Sequence, residues 1–230
     1  MNASLHAKFK ATSIHLFLSM LLFIAIALWI YNVLYPSFYF NMSGGRQGLA
    51  LMFFVDIILG PLLTFMVFNP NKSKRETYLD LGLVSLVQIS ALTYGMSVIY
   101  NERPKLLIIY QYGNATVVSA REIKEDSQLK HLKYKNLPKL ESIPVVVYRI
   151  NDSKSEYAVP MNASKELIAS SNIAQLAITD TQNSSPLNSY SKQSTSPIWV
   201  FAVMGKYTGA YIVTNPEWEY LGKLGEKPTL

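Results

Sequence analysis

The sequence predicts a membrane protein in which three transmembrane α-helices precede a small α+β extracytoplasmic domain with antiparallel strands. Half of the 230 residues are hydrophobic, and they are concentrated before about residue 100. A helix that crosses a bilayer needs about 20 mostly apolar residues, and three runs reach this length. The remaining residues have the mixed composition of a soluble domain. We therefore predict a transmembrane domain over residues 1–100 and an extracytoplasmic domain over residues 101–230.

Turn-forming residues bound the predicted transmembrane helices. The three spans are residues 13–35, 49–68 and 79–100. Pro36 follows the first span, and the Gly44-Gly45 pair precedes the second. Lys8 and a small-residue motif would also suit a cleaved signal peptide at the first span. Because its apolar run is longer than the apolar core of a typical signal peptide, we expect the first span to stay uncleaved as a membrane anchor.

The basic residues near the spans predict the orientation of the chain. They are Lys8 and Lys10 before the first span, and Lys72, Lys74 and Arg75 between the second and third. The loop between the first two spans contains one basic residue, Arg46. Since basic loops stay in the cytoplasm, the amino terminus is predicted to be cytoplasmic. Three crossings then place residues 101–230 in the periplasm of a bacterium, or in an exterior or lumenal space otherwise.

Asp56 lies inside the apolar run of the second span. A carboxylate near the membrane centre costs a few kcal/mol, so it should face protein or water. Counted from the ends of antiparallel spans, Gln88 lies at a similar depth, and we predict a hydrogen bond between the two side chains. Three roles remain open for Asp56: a structural link between spans, a contact with a partner's transmembrane helix, or a proton or ion relay.

Gly60 and Pro61 interrupt the same helix. Proline lacks a backbone donor and clashes with the preceding turn, which predicts a bend. Thr64 is close enough in sequence to satisfy a freed carbonyl group. A glycine beside the bend would let another backbone approach closely, so this point predicts a notch for a second helix.

The C-terminal half is predicted to form short strands and two helices. Strands are predicted over residues 106–112, 116–120, 145–150, 198–205 and 208–214, and helices over residues 121–134 and 163–177. The Gly113-Asn114 pair predicts a hairpin between the first two strands, and the last two strands are predicted to form a second hairpin across Lys206-Tyr207. Residues 179–197 are rich in Ser, Asn and Thr and are predicted to form a long loop.

The composition argues against several classes of function. There is no cysteine, and the spacing of the three histidines suggests no metal site. The basic residues are scattered, which argues against nucleic-acid binding. His131 is predicted to be a solvated surface residue, and Glu217 and Glu219 to be ordinary surface charge rather than a carboxylate pair. We predict no catalytic residues, no cofactor and no metal, and therefore a protein that is not an enzyme.

Three stretches carry a resemblance to a known family. They are VDIILGPLLTFMVFNPNK (residues 55–72), YLDLGLVSLVQISALTYG (residues 78–95) and Glu102-Arg103-Pro104. Together with the basic amino terminus before Ile14-His15-Leu16, they resemble the TfpX/TfpZ type IV pilin accessory proteins over about residues 10–123. Residues 111–116 (QYGNAT) depart from the family pattern, which has an Asp-Arg-Phe-like element there.

The resemblance implies a bacterial inner-membrane protein that binds a cognate major type IV pilin and promotes its stability or its assembly into the pilus. The lipid bilayer and other pilus assembly proteins are further expected partners, and the C-terminal domain is expected in the periplasm. The residues that the hypothesis assigns to partner binding are Asp56, Gly60, Pro61, Thr64, Gln88, Tyr94, Gly95, Arg103 and Pro104. The alternatives are a non-catalytic envelope scaffold or sensor, and a membrane enzyme that modifies pilin.

Overall fold

The computed structural model describes residues 3–132, 136–151, 154–179 and 184–225. Its α-helices are α1 (Ala3–Trp29), α2 (Tyr39–Met42), α3 (Gly45–Phe53), α4 (Gly60–Val67), α5 (Lys74–Glu102), α6 (Ala120–Glu125), α7 (Ser164–Thr179) and α8 (Ser184–Gln193). Its strands are β1 (Pro104–Ile109), β2 (Asn114–Ser119), β3 (Lys139–Leu140), β4 (Ile143–Asn151), β5 (Lys154–Ala158), β6 (Trp199–Met204), β7 (Gly209–Thr214) and β8 (Tyr220–Leu224).

The chain divides into two compact units. The first, which we call the helical unit, consists of Met1–Leu34 and Gly45–Tyr100. The second, the sheet unit, consists of Tyr35–Gly44 and Asn101–Leu230. The domain prediction assigned all of residues 1–100 to the membrane part and did not foresee that the first connecting segment packs with the sheet unit.

Within the described residues, three helices are long and apolar enough to cross a membrane. They are Ser4–Leu34, Gly45–Val67 and Lys74–Glu102, and we call them spans 1, 2 and 3. This confirms the predicted three-helix membrane part. Large apolar side chains stay exposed along all three spans, among them Leu18, Leu62 and Leu86. Such surfaces suit lipid, where a helix satisfies its backbone hydrogen bonds internally.

Span 2 changes its backbone hydrogen-bonding pattern near its middle. Residues Phe54–Leu59 form a π-helical turn between α3 and α4, and the N–H of Gly60 donates to the carbonyl of Val55. Pro61, the next residue, has no N–H to donate. The different hydrogen-bonding pattern of the π-helical turn lets the helix continue past Pro61, which has no N–H group. Asp56 lies within this turn.

The part of the sheet unit that the structure describes contains an eight-stranded sheet in the order β3-β4-β1-β2-β6-β7-β8, with β5 also paired to β4. The β1–β4 and β2–β6 pairs are parallel, and the other pairs are antiparallel. Both predicted hairpins, β1–β2 and β6–β7, are present. In the first, the Gly113 turn has a φ of +80°, a conformation that favours glycine.

Two predictions in this unit need correction. The predicted loop over residues 179–197 contains α8, because Leu187 and Tyr190 lie one turn apart and pack with the core around Val200 and Val213. Residues 180–183 of that loop lie outside the described residues. The predicted helix over residues 121–134 is reduced to α6 and a 3-10 turn over Leu129–His131. Residues 133–135 lie outside the described residues, and β3, β5 and β8 were not predicted.

Candidate functional site

The candidate site is a layer of polar side chains at the centre of the helical unit. Ser19, Asp56 and Gln88 are the middle residues of spans 1, 2 and 3. Ser19 and Asp56 are buried, and Gln88 is half-buried. Three separate segments of the sequence thus bring polar groups to the same depth.

Gln88 connects the members of this layer by hydrogen bonds. Its Nε2 group donates to Asp56 Oδ1, to the Asp56 carbonyl oxygen and to Ser19 Oγ, each over 3.3 Å. Its Oε1 atom accepts a bond of 2.8 Å from His15 Nε2. His15 Nδ1 lies 2.6 Å from Thr64 Oγ1. The predicted Asp56–Gln88 hydrogen bond is confirmed, and His15, Ser19 and Thr64 extend it across all three spans.

Gly60 makes room for the Gln88 side chain. A Cβ atom built on Gly60 would lie 2.8 Å from both polar atoms of the Gln88 amide, which is closer than real contacts allow. The notch that we predicted for a second backbone is therefore filled by Gln88 from span 3. The Thr64 hydroxyl pairs with His15, whereas we predicted that it would serve a carbonyl freed by Pro61.

Asp56 is the acidic member of the polar layer, and among the described residues His15 is close enough to interact with it electrostatically. Asp56 is 3% exposed, and none of the ion pairs among those residues includes it. Its side chain accepts one hydrogen bond from a neutral amide. A carboxyl group in this setting can bind a hydrogen-bonding group from another chain, or it can hold the spans together. No cluster of His, Cys, Asp or Glu that could hold a metal lies in the described part of the chain.

Two open clefts meet at Asp56. The polar cleft, of about 540 Å³, runs between spans 1 and 3 and is lined by His15, Ser19, Asp56, Thr64 and Gln88 with apolar walls. The small-residue cleft, of about 420 Å³, runs between spans 2 and 3 and is lined by Gly48, Leu51, Asp56, Ala91, Tyr94 and Gly95, among others. Both volumes fall in the range typical of ligand sites. Asp56 and Leu92 line both clefts.

The structure gathers most, but not all, of the predicted partner-binding residues. Asp56, Thr64 and Gln88 line the polar cleft, and Tyr94 and Gly95 line the small-residue cleft. Gly60 lies against the Gln88 amide, and the other three predicted residues lie elsewhere: Pro61 is buried in span 2, and Arg103 and Pro104 belong to the sheet unit. In that unit the Arg103 carbonyl accepts a hydrogen bond of 3.0 Å from the Ala120 N–H.

Sequence reasoning missed His15 and Ser19 as members of the site. The two residues are four positions apart on α1, so they share one helix face. That spacing, within an otherwise apolar run, was the available signal. It indicates a polar face on span 1, although it does not reveal which groups that face meets.

The chain is 35% identical over 114 residues to a protein named "Fimbrial assembly protein, serogroup I" and 34% identical to "Fimbrial assembly protein, serogroup E1", both from Dichelobacter nodosus. A third relative, "Fimbrial assembly protein, serogroups C1 and C2" from the same organism, is 33% identical, and the match covers 86% of its length. The chain belongs to the fimbrial assembly protein family.

The match has a defined extent. It covers 50% of this chain and 44% of the length of the first two fimbrial assembly proteins. No family model matches the sequence, and no solved structure matches it. The predicted resemblance is confirmed at the level of fimbrial assembly proteins, and the names of these relatives do not include TfpX or TfpZ.

Proposed function

We propose that this chain is a non-enzymatic inner-membrane accessory protein of type IV pilus assembly. On this proposal it binds its cognate major pilin and promotes the pilin's stability or its incorporation into the pilus. Membership of the fimbrial assembly protein family supports a role in pilus assembly. The geometry of the helical unit supports the mode of binding.

The observation that carries the proposal is the meeting of two clefts at a buried polar layer midway along the spans. Ala91 and Gly95 in the small-residue cleft leave space for the backbone of another helix, whereas the Ile99 side chain already fills the space beside Gly48. Asp56 gives that helix one polar contact at a fixed depth, which favours one partner over an ordinary apolar helix. A pilin awaiting assembly offers such a helix, because it is held in the membrane by an apolar segment.

The proposed orientation places the sheet unit in the periplasm. Tyr35–Gly44 and Asn101–Leu230 share one compact unit, so they belong on the same side of a membrane. Three crossings meet this condition, since they put the first connecting segment and the C-terminal half on one side. The basic residues before span 1 and between spans 2 and 3 favour the cytoplasm for the other side. The sheet unit would then face the pilin's globular head.

The proposed roles of the site residues follow from their exposure. Tyr94 is 74% exposed and Gly95 lies beside it along the cleft, so both would touch the bound helix. Asp56 would supply the polar contact. Gly60, Pro61, Thr64 and Gln88 would act by holding Asp56 and the cleft walls in place. Arg103 and Pro104 would contribute on the sheet unit.

Catalysis has no part in this proposal. Of the two carboxylates considered as an acid pair, Glu219 accepts a hydrogen bond of 2.8 Å from Asn215 Nδ2. Its backbone N–H donates to Asn215 Oδ1 over the same distance. These bonds brace the turn before β8, so a structural role accounts for Glu219. Alanine at Glu217, which is exposed, should leave piliation unchanged.

Photocrosslinking in cells that make the major pilin tests the proposal. A photoreactive amino acid replaces Tyr94 in the small-residue cleft, Tyr112 on the sheet unit, or Leu86 as the control. Leu86 is 63% exposed on the opposite face of α5 and lines neither cleft. We expect pilin adducts from positions 94 and 112 and none from position 86. No pilin adduct at position 94, or equal adducts at positions 94 and 86, would overturn helix binding in the cleft.

A further inference from the structure

The segment between spans 1 and 2 forms part of the core of the sheet unit. Four of its large side chains are almost fully buried: Tyr35, Phe38, Tyr39 and Met42, with exposures of 1%, 8%, 0% and 1%. Phe38, Tyr39 and Met42 belong to the largest apolar cluster of the unit, together with residues of β1, β4 and β6. An ordinary connecting loop stays on the surface, so this segment is unusual.

Specific contacts fix the segment at widely separated strands. The Tyr39 hydroxyl donates a hydrogen bond of 3.3 Å to the carbonyl of Leu140 in β3. The Met42 carbonyl accepts one of 2.9 Å from the N–H of Tyr207, in the turn between β6 and β7. The segment thus joins β3, at one end of the strand order, to the β6–β7 hairpin.

Two glycines are needed for this close fit. A Cβ atom on Gly205 would lie 2.5 Å from the Met42 carbonyl oxygen, and one on Gly44 would lie 2.6 Å from the Tyr207 ring. Gly44 has a φ of +98°, and Ser37 is held at +54° although it is not a glycine. A strained residue persists only where its surroundings determine the conformation, which indicates that the segment is firmly held.

We propose that Tyr35–Gly44 is an obligatory folding element of the sheet unit. The unit cannot close its core until this segment is present, and the segment is tethered at both ends to membrane spans. Completion of the sheet unit therefore waits for the insertion of spans 1 and 2 and for delivery of the segment between them. The fold links membrane insertion to the folding of the C-terminal half, whatever partner the protein binds.

Hydrogen exchange on the full chain in detergent tests the dependence. Tyr39→Ala removes a fully buried ring and its hydrogen bond, whereas Asn41→Ala changes an exposed side chain in the same helical turn. We expect Tyr39→Ala to speed exchange at least tenfold in the central strands β1 and β4, and Asn41→Ala to leave it unchanged. Exchange in spans 1–3 should stay as in the natural chain, which separates this effect from general misfolding. Faster exchange confined to the segment itself would overturn the proposal.

A disulfide trap provides a second test, in which an introduced bond holds the segment in its core position. The chain has no cysteine, so an introduced pair can react only with itself. Met42→Cys with Tyr207→Cys joins two residues whose backbones are hydrogen-bonded over 2.9 Å, and Asn41→Cys with Tyr207→Cys is the matched control. We expect the first pair to oxidise in cells and to protect the sheet unit from protease. Preferential oxidation of the control pair, or equal protease sensitivity with the bond formed and reduced, would contradict the proposal.

Discussion

Gly60 and Gln88 set the geometry of the polar layer at the scale of single residues. Gln88 reaches Asp56, Ser19 and His15 because the glycine opposite it has no side chain. Each bond of this kind between transmembrane helices is worth about 0.6 kcal/mol, and at most about 2 kcal/mol. The layer therefore acts through several bonds made by one amide, and the space for that amide is its most sensitive feature.

Gly60→Ala should destabilise the helical unit. The new Cβ atom would displace the Gln88 amide, and overpacking of this kind costs about 1–3 kcal/mol, partly offset by the better helix propensity of alanine. Gly82→Ala is the control, because no atom lies within 4 Å of the position that its Cβ would take. Unfolding in mixed detergent micelles measures both variants. Equal stability of the two would show that Gln88 can move aside without loss.

The elements of the sheet unit show what local patterns can predict. The two hairpins were predicted because alternating apolar residues flank clear turn signals, and α7 because its apolar residues follow a helical period. α8 was missed since its composition is typical of a loop, and only Leu187 and Tyr190 mark a buried face. Tertiary packing, rather than local propensity, stabilises such a helix.

Leu187→Ala tests whether α8 belongs to the core of the sheet unit. Leu187 is 8% exposed and packs with Val200 and Val213. Removing a buried leucine side chain costs about 2–5 kcal/mol, so we expect the variant to unfold at a clearly lower temperature. Asn188→Ala changes the exposed neighbour and should match the natural chain. Thermal unfolding followed by protease sensitivity of the C-terminal half distinguishes the two.

The candidate site was predictable only in part. Asp56 was predicted because a carboxylate inside a membrane has a high free energy unless it meets protein or water. Gln88 was predicted because it lies at the same depth as Asp56. His15 was missed because its spacing to Ser19 indicates only a polar face on span 1 and does not reveal that its partners, Thr64 and Gln88, lie on other spans. The core position of Tyr35–Gly44 was missed for the same reason, since it depends on contacts with β1, β3 and the β6–β7 hairpin, which lie much later in the sequence.

The alkaline stability of the sheet unit is a property of the whole core. Burial raises the pKa of Tyr39 well above 10.0, with a smaller contribution from Glu141. Below about pH 10 the hydroxyl is protonated in both the folded and the unfolded chain, and its contribution is fully present. Above that pH the unfolded chain loses the proton first, so the free energy of unfolding falls as the pH rises.

Tyr39→Phe should therefore flatten the alkaline loss of stability. One proton contributes a slope of about 1.4 kcal/mol per pH unit, which the variant removes while keeping the buried ring. Burial also raises the pKa of Tyr110, Tyr157 and Tyr220, so part of the loss should remain. Thermal unfolding between about pH 9 and pH 11 measures the slope. Tyr112→Phe, at an exposed position, is the control, and an equal slope in both variants would contradict the role of Tyr39.

Filling the small-residue cleft tests the proposed function of the whole molecule. The nearest atom to a Cβ on Gly95 would be Met52 Cγ at 3.8 Å, an ordinary van der Waals contact, so a side chain can extend from this position into the cleft. Gly95→Leu should leave the protein folded and inserted while it blocks the approach of a partner helix. Gly82→Leu adds the same side chain to α5 away from both clefts.

We expect Gly95→Leu to reduce surface pili at least tenfold, and to abolish pilin adducts from a probe at position 94, with the amount of membrane protein unchanged. The Gly82→Leu variant should have normal surface pili and normal pilin adducts. Because a helix interface depends on close backbone approach, one leucine is enough to exclude the partner. Normal piliation in Gly95→Leu would exclude this cleft as the pilin site and leave the polar cleft between spans 1 and 3 as the place to probe next.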